Sequence, residues 1–108
     1  DGQASLHLPD GGMLAFDGAR HAMGVPATWI VHARTGGERI ILPGRTHSHA
    51  LKHVLQALGI PPWIRARVPL LSHADGNVLA AGDLVASAAF SGWMHTTGLR
   101  LRWRLAAT

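Results

Sequence analysis

Three histidines stand close together in the segment RTHSHALKHVLQALGIPPWIRARVPLL, which runs from Arg45 to Leu71. His47 and His49 are one residue apart, and His53 follows His49 by four residues, which would place these two on one helix face. Imidazole is a common zinc ligand, so the three histidines are candidates for a metal-dependent hydrolytic site. Zinc sites usually need three or four ligands, and no Asp, Glu or Cys stands near these histidines. A polar, solvated helix face is therefore the favoured interpretation, and we expect no metal site.

Other catalytic chemistry has little support in the sequence. Ser48-His49 and Ser72-His73 are sequence neighbours, but adjacency alone does not create the geometry of a nucleophile and its base. Neither Gly-x-Ser-x-Gly nor the phosphate loop Gly-x-x-x-x-Gly-Lys-[Ser/Thr] occurs. Turn formation explains three acidic residues that stand beside glycine: Asp10, Asp17 and Asp75. We expect no catalytic residue and no cofactor in this chain.

The chemistry that remains is that of a positive surface. The chain has 10 Lys and Arg against 6 Asp and Glu, a formal net charge of +4, and nearly all of its cations are Arg. Guanidinium groups match phosphate in a forked geometry, and cations near a polyphosphate gain by releasing its counterions. Ordinary solubilising charge is the alternative. The candidate residues for contact with nucleic acid are Arg34, Arg39, Arg45, His49, Lys52, His53, Arg65 and Arg67.

Two further features have both a structural and a binding interpretation. Trp63 follows two prolines and could stack on a base, but a core plug that seats this corner is favoured. Arg100, Arg102 and Arg104 alternate with apolar residues along one strand. Such a row could contact phosphate, and on an edge strand it also blocks aggregation between sheet edges.

Composition indicates one α+β domain over residues 1–108. The length of 108 residues suits a single core, and 13 Gly with 6 Pro argue against a helical bundle. The absence of cysteine excludes disulfides and fits a cytosolic protein. No segment reaches membrane-spanning length, since Asp83 interrupts the apolar stretch 78–90. The chain begins at Asp1 rather than Met, so we expect it to be a piece excised from a longer protein.

Alternation and turn residues predict antiparallel hairpins. One hairpin turns at residues 10–12, and a second joins a strand at 28–34 to a returning strand at 38–42 through Gly36-Gly37. A third turns at Asp75-Gly76 and is followed by short buried strands in VLAAG and LVAS. Gly92 and Gly98 bound a weakly defined segment, and the strand at 99–105 closes the chain.

A single main helix is predicted at about residues 48–58. An apolar stripe at helical spacing supports it, with Thr46 or Ser48 as the cap and Gly59 just past its end. Pro61-Pro62 stops this helix and opens a short helical turn through residues 63–65. The expected architecture is a small set of antiparallel strands packed with one main helix.

The order Leu-Lys, Pro-Pro-Trp-x-Arg, Pro-Leu-Leu resembles the C-terminal domain of bacterial tRNA(Ile)-lysidine synthetases. The matching stretches are VHARTGGERIILPGR, LKHVLQALG, IPPWIRARVPLL and NVLAAGDLV, about half of the chain. The resemblance carries over to Arg34, Arg39, Arg45, Lys52, Arg65 and Arg67, whereas the histidines are departures from the family pattern. Residues 1–27 and 87–108 show no such match.

The resemblance implies a cytoplasmic, tRNA-modifying parent enzyme. Such enzymes use ATP, with Mg²⁺, to adenylate the wobble cytidine of tRNA(Ile), after which lysine displaces AMP. The Ser-Gly-Gly-x-Asp-Ser loop of the catalytic N-terminal domain is absent from these 108 residues. The expected partners are therefore tRNA(Ile), held at its acceptor-stem side, and the parent's catalytic domain. The alternative is a module that packs within a multidomain enzyme without touching RNA.

Overall fold

A computed structural model describes residues 4–9, 11–18, 26 and 28–105, and the account below is confined to them. These residues form an α+β fold of antiparallel strands and helices, as predicted. In chain order the elements are β1 (Ala4–His7), β2 (Met13–Gly18), β3 (Trp29–His32), β4 (Arg39–Ile40), β5 (His49–Ala50), α1 (Leu51–Ala57), α2 (Pro62–Arg65), β6 (Leu70–His73), β7 (Val78–Ala81), β8 (Val85–Ala86), α3 (Ala88–Thr97) and β9 (Leu99–Arg104).

The first sheet has the order β1-β2-β9 and joins the two ends of the sequence. The β1–β2 hairpin is confirmed, and its turn is closed by the Leu8 N–H, which donates to the Gly12 carbonyl at 2.8 Å. Asp10, the first residue of the predicted turn, lies outside the described residues. The alternation of β9 is also confirmed, because Leu99 and Leu101 are buried while Arg100, Arg102 and Arg104 are exposed.

The hairpin predicted between residues 28–34 and 38–42 is wrong. Strand β3 pairs with β6 in the sheet β3-β6-β7-β8, whereas β4 pairs with β5. The side chain of Glu38 stabilises the loop between these strands, because its carboxylate accepts hydrogen bonds from the N–H groups of Thr35 (2.7 Å) and Gly36 (3.0 Å). A side chain that bonds the local backbone competes with the strand ladder. Strand β3 instead joins the apolar β6, whose Leu70 and Leu71 are buried.

The main predicted helix begins later and ends earlier than expected. Helix α1 spans Leu51–Ala57 rather than 48–58, because His49 and Ala50 pair with β4 as strand β5. The helix has no side-chain cap, so the predicted cap at Thr46 or Ser48 is wrong; the Leu51 N–H donates to the Glu38 carbonyl at 2.9 Å. Gly59 follows the helix with φ of 76°, and helix α2 forms after Pro61, both as predicted.

Helix α3 is the longest helix of the described part, with 10 residues, and the sequence analysis missed it. Its start is capped by Ser87, whose hydroxyl accepts the Phe90 N–H at 3.0 Å. Its end is set by Gly98, which has a φ of 75°. A serine at the start and a glycine at the end are both recognised sequence signals of helix boundaries. Gly92 and two threonines within the segment weakened the helical pattern and hid them.

Two apolar clusters form the interior of the described residues. The first centres on Phe90 and includes Leu14, Phe16, Leu71, Leu79, Leu99 and Leu101. The second lies under α1 and includes Ile40, Leu51, Leu55, Val68, Leu70 and Val78. Trp103 packs against both clusters, and a Cβ at Gly82 would meet its ring at 2.7 Å. Only glycine fits at that position, where φ is also +53°.

Candidate nucleic-acid interface

The eight predicted contact residues lie on a connected group of elements. We call them the cation group: Arg34, Arg39, Arg45, His49, Lys52, His53, Arg65 and Arg67. They occupy the loop after β3, the β4–β5 ladder with its connecting loop, the first turn of α1, and α2 with the segment that follows it. Hydrogen bonds link these elements to one another. The role of these side chains in binding stays a prediction.

Arg34 joins the loop after β3 to helix α2. Its Nη1 donates to the Arg65 carbonyl at 3.1 Å, and its Nε lies 3.9 Å from the Glu38 Oε1 atom. The side chain is only 17% exposed, so much of the guanidinium is committed to the fold. Arg34 therefore holds the backbone at Arg65 and contributes less free charge to a ligand than the sequence predicted.

Glu38 holds the loop between β3 and β4 through its carboxylate. Its side chain is 9% exposed, and its carboxylate accepts hydrogen bonds from both the N–H and the hydroxyl of Thr35 and from the N–H of Gly36. Burial raises the pKa of the Glu38 carboxyl, but these hydrogen bonds outweigh burial and leave the pKa below its ordinary value of 4.5. The carboxylate form is thus favoured in the folded protein.

Replacing Glu38 by Gln is expected to destabilise the protein by about 1–2 kcal/mol at pH 7, since it removes a hydrogen-bonded charge beside Arg34. A folded pKa below 4.5 means that this stabilisation is present above pH 4.5 and is lost as the pH falls through the folded value. Urea unfolding of wild type and Glu38→Gln between about pH 7 and pH 3 measures the difference.

The same measurement on Asp83→Asn provides the control. Asp83 is exposed and accepts one long bond, from the Trp103 N–H at 3.4 Å. We expect a smaller stability loss in this variant. A Glu38→Gln deficit that stays constant down to pH 3 would contradict the assignment of the stabilising charge to Glu38.

Arg39, Arg45 and Lys52 differ in how firmly they are held. Arg39 is exposed but fixed, because its Nε donates to the Ser48 hydroxyl at 2.7 Å and its Nη2 to the Ser48 carbonyl at 3.0 Å. Arg45 and Lys52 are exposed, and within residues 28–105 no hydrogen bond or ion pair engages either side chain. Exposed cations without a protein partner can form charge-assisted contacts with a polyanion.

The structure does not bring His47, His49 and His53 together as a set of metal ligands. His49 lies in β5, opposite Ile40, while His53 lies on α1, so the helical spacing assumed between them does not exist. In the described part of the chain, no three side chains of the His, Cys, Asp or Glu type come close enough to share an ion. The hydrolase hypothesis built on His47, His49 and His53 therefore has no geometric basis.

Trp63 is not the core plug that the sequence favoured. Its side chain is 69% exposed on helix α2, whereas the neighbouring Ile64 packs against the second apolar cluster. The corner is seated by Ile64 and by backbone bonds from the N–H groups of Ile64 and Arg65 to the Pro61 carbonyl. Trp63 is left available for a ligand, which was the less favoured interpretation.

The arginine row of β9 belongs to another sheet. Strand β9 is an edge strand whose ladder partner is β2, so the edge-protecting interpretation fits its position. Arg102 is engaged by Asp17, with its Nε 3.1 Å from the carboxylate. These three arginines are not part of the contacts that link the cation group.

One feature near the cation group was not found from the sequence. His32, at the end of β3, bonds through Nε2 to the buried Ser72 hydroxyl at 2.8 Å, and through Nδ1 to the Ala33 carbonyl at 3.0 Å. His32 also lines a groove of about 330 Å³ together with residues 66–69. The pairing of β3 with β6 creates this arrangement, and that pairing is non-local, so no local pattern indicated it.

The fold and site define a small α+β domain with basic side chains on its surface. The family model for the TilS substrate C-terminal domain matches residues 30–103, and the chain belongs to this family. The tRNA(Ile)-lysidine synthase of Xylella fastidiosa strain 9a5c is 51% identical over 105 residues, covering 95% of this chain and 24% of the relative. The tRNA(Ile)-lysidine synthase of Xanthomonas axonopodis pv. citri is 49% identical over 107 residues, covering 99% and 24%.

A solved structure has the same fold. The crystal structure of a TILS C-terminal domain superposes with a TM-score of 0.61 at 23% identity, covering 97% of this chain and 92% of that chain. The resemblance stated from sequence and the α+β class are thereby confirmed, and the match extends beyond the half of the chain on which the resemblance rested. This chain spans about a quarter of the length of the curated relatives. No helix among the described residues is long and apolar enough to cross a membrane.

Proposed function

We propose that this chain is the domain of a cytoplasmic tRNA(Ile)-lysidine synthase that holds tRNA(Ile). The observation that carries the proposal is the excess of positive charge between residues 34 and 67. Between residues 34 and 67 the chain has six Arg or Lys side chains at the family-matched positions and a single acid, Glu38. That acid is occupied with Arg34 and the Thr35 loop, so it does not cancel Arg45 or Lys52.

We assign the catalytic chemistry of the parent enzyme to a part of that enzyme outside this chain. ATP-dependent ligation of lysine to the wobble cytidine needs a nucleotide site, and neither phosphate-binding loop occurs in this sequence. The described residues also lack a cluster of ligands for a metal ion. ATP and Mg²⁺ therefore fit the rest of the parent, and this chain contributes binding and placement of the tRNA.

Recognition by the cation group would depend on shape more than on sequence. In an A-form stem the minor groove is wide and shallow, and it presents 2′-hydroxyls between lines of phosphates. Guanidinium and ammonium groups contact such a surface without reading base edges. Ser48 holds the guanidinium of Arg39, and Arg34 holds the backbone at Arg65, so these two points of the surface are supported by the fold.

A packing module that does not touch RNA is the second candidate. It is favoured by the exposure of Leu58 (53%) and Trp63 (69%), which lie close in sequence on either side of the Pro61 corner. Exposed large apolar side chains of this kind are common where a domain docks on another part of its protein. This candidate predicts either that the chain does not bind RNA or that its affinity for RNA does not change with salt concentration.

The test is a titration of the chain with a tRNA(Ile) transcript by fluorescence anisotropy at several salt concentrations. If four to six phosphates are contacted, affinity should fall roughly 100- to 1,000-fold between about 50 and 200 mM salt. A DNA duplex of the acceptor-stem sequence is the control, and weaker binding is expected because its groove shape differs. A salt-independent affinity, or no binding at low salt, would favour the packing module.

A further inference from the structure

A groove of about 330 Å³ adjoins the cation group. Three separate segments of the described residues line it: residues 7–9 at the end of β1, residues 31–33 at the end of β3, and residues 66–69 after α2. Its position is fixed by Arg34, which follows residue 33 and donates to the carbonyl of Arg65, the residue before position 66. Arg67 belongs both to the cation group and to the groove lining, so a ligand held by the cation group near Arg67 lies beside the groove.

The walls of the groove combine apolar surface with nitrogen-bearing side chains. Leu8, Pro9 and Val31 contribute apolar wall, and His7, His32 and Arg67 contribute nitrogen-bearing side chains. None of the ten lining residues that the structure describes carries a carboxylate. Such a lining suits a flat, largely apolar group attached to a negative charge. The volume lies near the lower end of the range for small-molecule sites, which is about 300–1,000 Å³.

His32 gives the groove a planar group whose orientation is fixed. A carbonyl only accepts, so the bond to Ala33 places the hydrogen on Nδ1, and in the neutral ring Nε2 accepts the Ser72 hydroxyl. Ser72 is 1% exposed and lies on β6, in the interior of the sheet. A ring held at both nitrogens loses little freedom on binding, which favours a ligand that packs against it.

We propose that this groove binds an unpaired nucleobase of an RNA whose duplex part lies on the cation group. The proposal rests on the proposed function and adds a second, single-stranded contact to it. A nucleotide matches the lining because its base is planar and its phosphate is negative. A small free acid would leave the apolar walls uncovered, and an apolar peptide would bring no negative charge to match Arg67. Stacking is tolerant of base identity, so any of the four bases is accepted.

The experiment compares RNA hairpins with one stem sequence that end either blunt or in a four-nucleotide overhang. Both 3′ and 5′ overhangs are made, with 2-aminopurine at each overhang position in turn. Fluorescence anisotropy at one salt concentration is expected to show about 5- to 30-fold tighter binding of at least one overhang hairpin than of the blunt hairpin. The 2-aminopurine emission at the bound position should be quenched by stacking.

Two variants in which an exposed alanine is replaced by phenylalanine test whether the groove makes the contact. Ala66 is exposed and lines the groove, so Ala66→Phe fills it; Ala89 is exposed on α3, so Ala89→Phe adds the same bulk elsewhere. Ala66→Phe should bind the blunt hairpin as wild type does and lose the overhang advantage. Ala89→Phe should keep both. Circular dichroism checks the fold of each variant, and Ala33→Phe replaces Ala66→Phe if that variant unfolds.

The possible results separate this proposal from the proposed function. Equal affinity for blunt and overhang hairpins overturns the groove proposal and leaves duplex binding intact. An overhang advantage that survives Ala66→Phe but disappears in Trp63→Ala also overturns it, because the base then stacks on the exposed Trp63. Failure to bind either hairpin overturns both proposals together.

Discussion

Reversing the charge at Arg45 and Lys52 together is expected to weaken tRNA binding about 100-fold or more, because two charge-assisted contacts become repulsive. Both side chains are exposed, and no described residue holds either one in a hydrogen bond or ion pair, so the fold should tolerate the change. Anisotropy titrations of Arg45→Glu/Lys52→Glu at several salt concentrations measure the loss. The slope of log affinity against log salt should also become shallower by about two, one for each phosphate contact.

The matched control reverses two arginines on the edge strand. Arg100→Glu/Arg104→Glu produces the same formal net charge, and both side chains are exposed on β9 rather than in the cation group. This variant should lose only the weak, long-range part of the attraction, about tenfold or less at moderate salt. If it binds as poorly as the first variant, net charge alone governs affinity and the assigned interface is wrong.

Replacing Phe90 by Ala should cost about 3–5 kcal/mol, the usual range for removing a buried aromatic side chain. Phe90 is 1% exposed, and its ring centroid lies 5.6 Å from that of Trp29 and 5.7 Å from that of Trp93. It anchors helix α3 on the first apolar cluster. For a chain of this length the loss corresponds to a fall in Tm of roughly 15–30 °C, which circular dichroism can follow.

Trp63→Ala provides the comparison for a large aromatic side chain at the surface. Its 69% exposure predicts a change of about 0.5 kcal/mol or less, within the range of ordinary surface substitutions. Because both variants remove an aromatic ring, the difference between them isolates burial. A Tm fall for Trp63→Ala as large as that for Phe90→Ala would restore the core-plug interpretation, and would place the ring in a contact that the structure does not have.

Local patterns predicted the hairpins that neighbouring residues control. The turn signals in the sequence at residues 10–12 and 75–76 are short, so the ladders β1–β2 and β6–β7 were correctly expected. Residues 34–42 have an equally good hairpin pattern, yet Glu38 binds the loop and β3 pairs with β6 about forty residues later. Alternation identifies a strand but does not name its partner, and here a buried apolar strand was the better partner.

The sequence named candidate contact residues, whose role in binding stays a prediction, but it could not show how the fold uses them. The cations at the family-matched positions lie on elements that hydrogen bonds link to one another. The sequence could not show that Arg34 is largely committed to Arg65 and Glu38, because that depends on how α2 packs beside the β3–β4 loop. Trp63 shows the same limit: its exposure depends on which side of a four-residue helix meets the core, and Ile64 occupies that side.

The pairing of β2 with β9 has a consequence for the synthesis of the chain. Residues 13–18 leave the ribosome long before residues 99–104, and at the usual rate of about 5–20 residues per second the delay is several seconds. During that time the sheet lacks its third strand, and we expect the apolar side chains of Leu14 and Phe16, which β9 and α3 later cover, to be exposed to water. Stalled or truncated translation products would lack the strand that completes this sheet, and we expect them to be targets for chaperones and proteases.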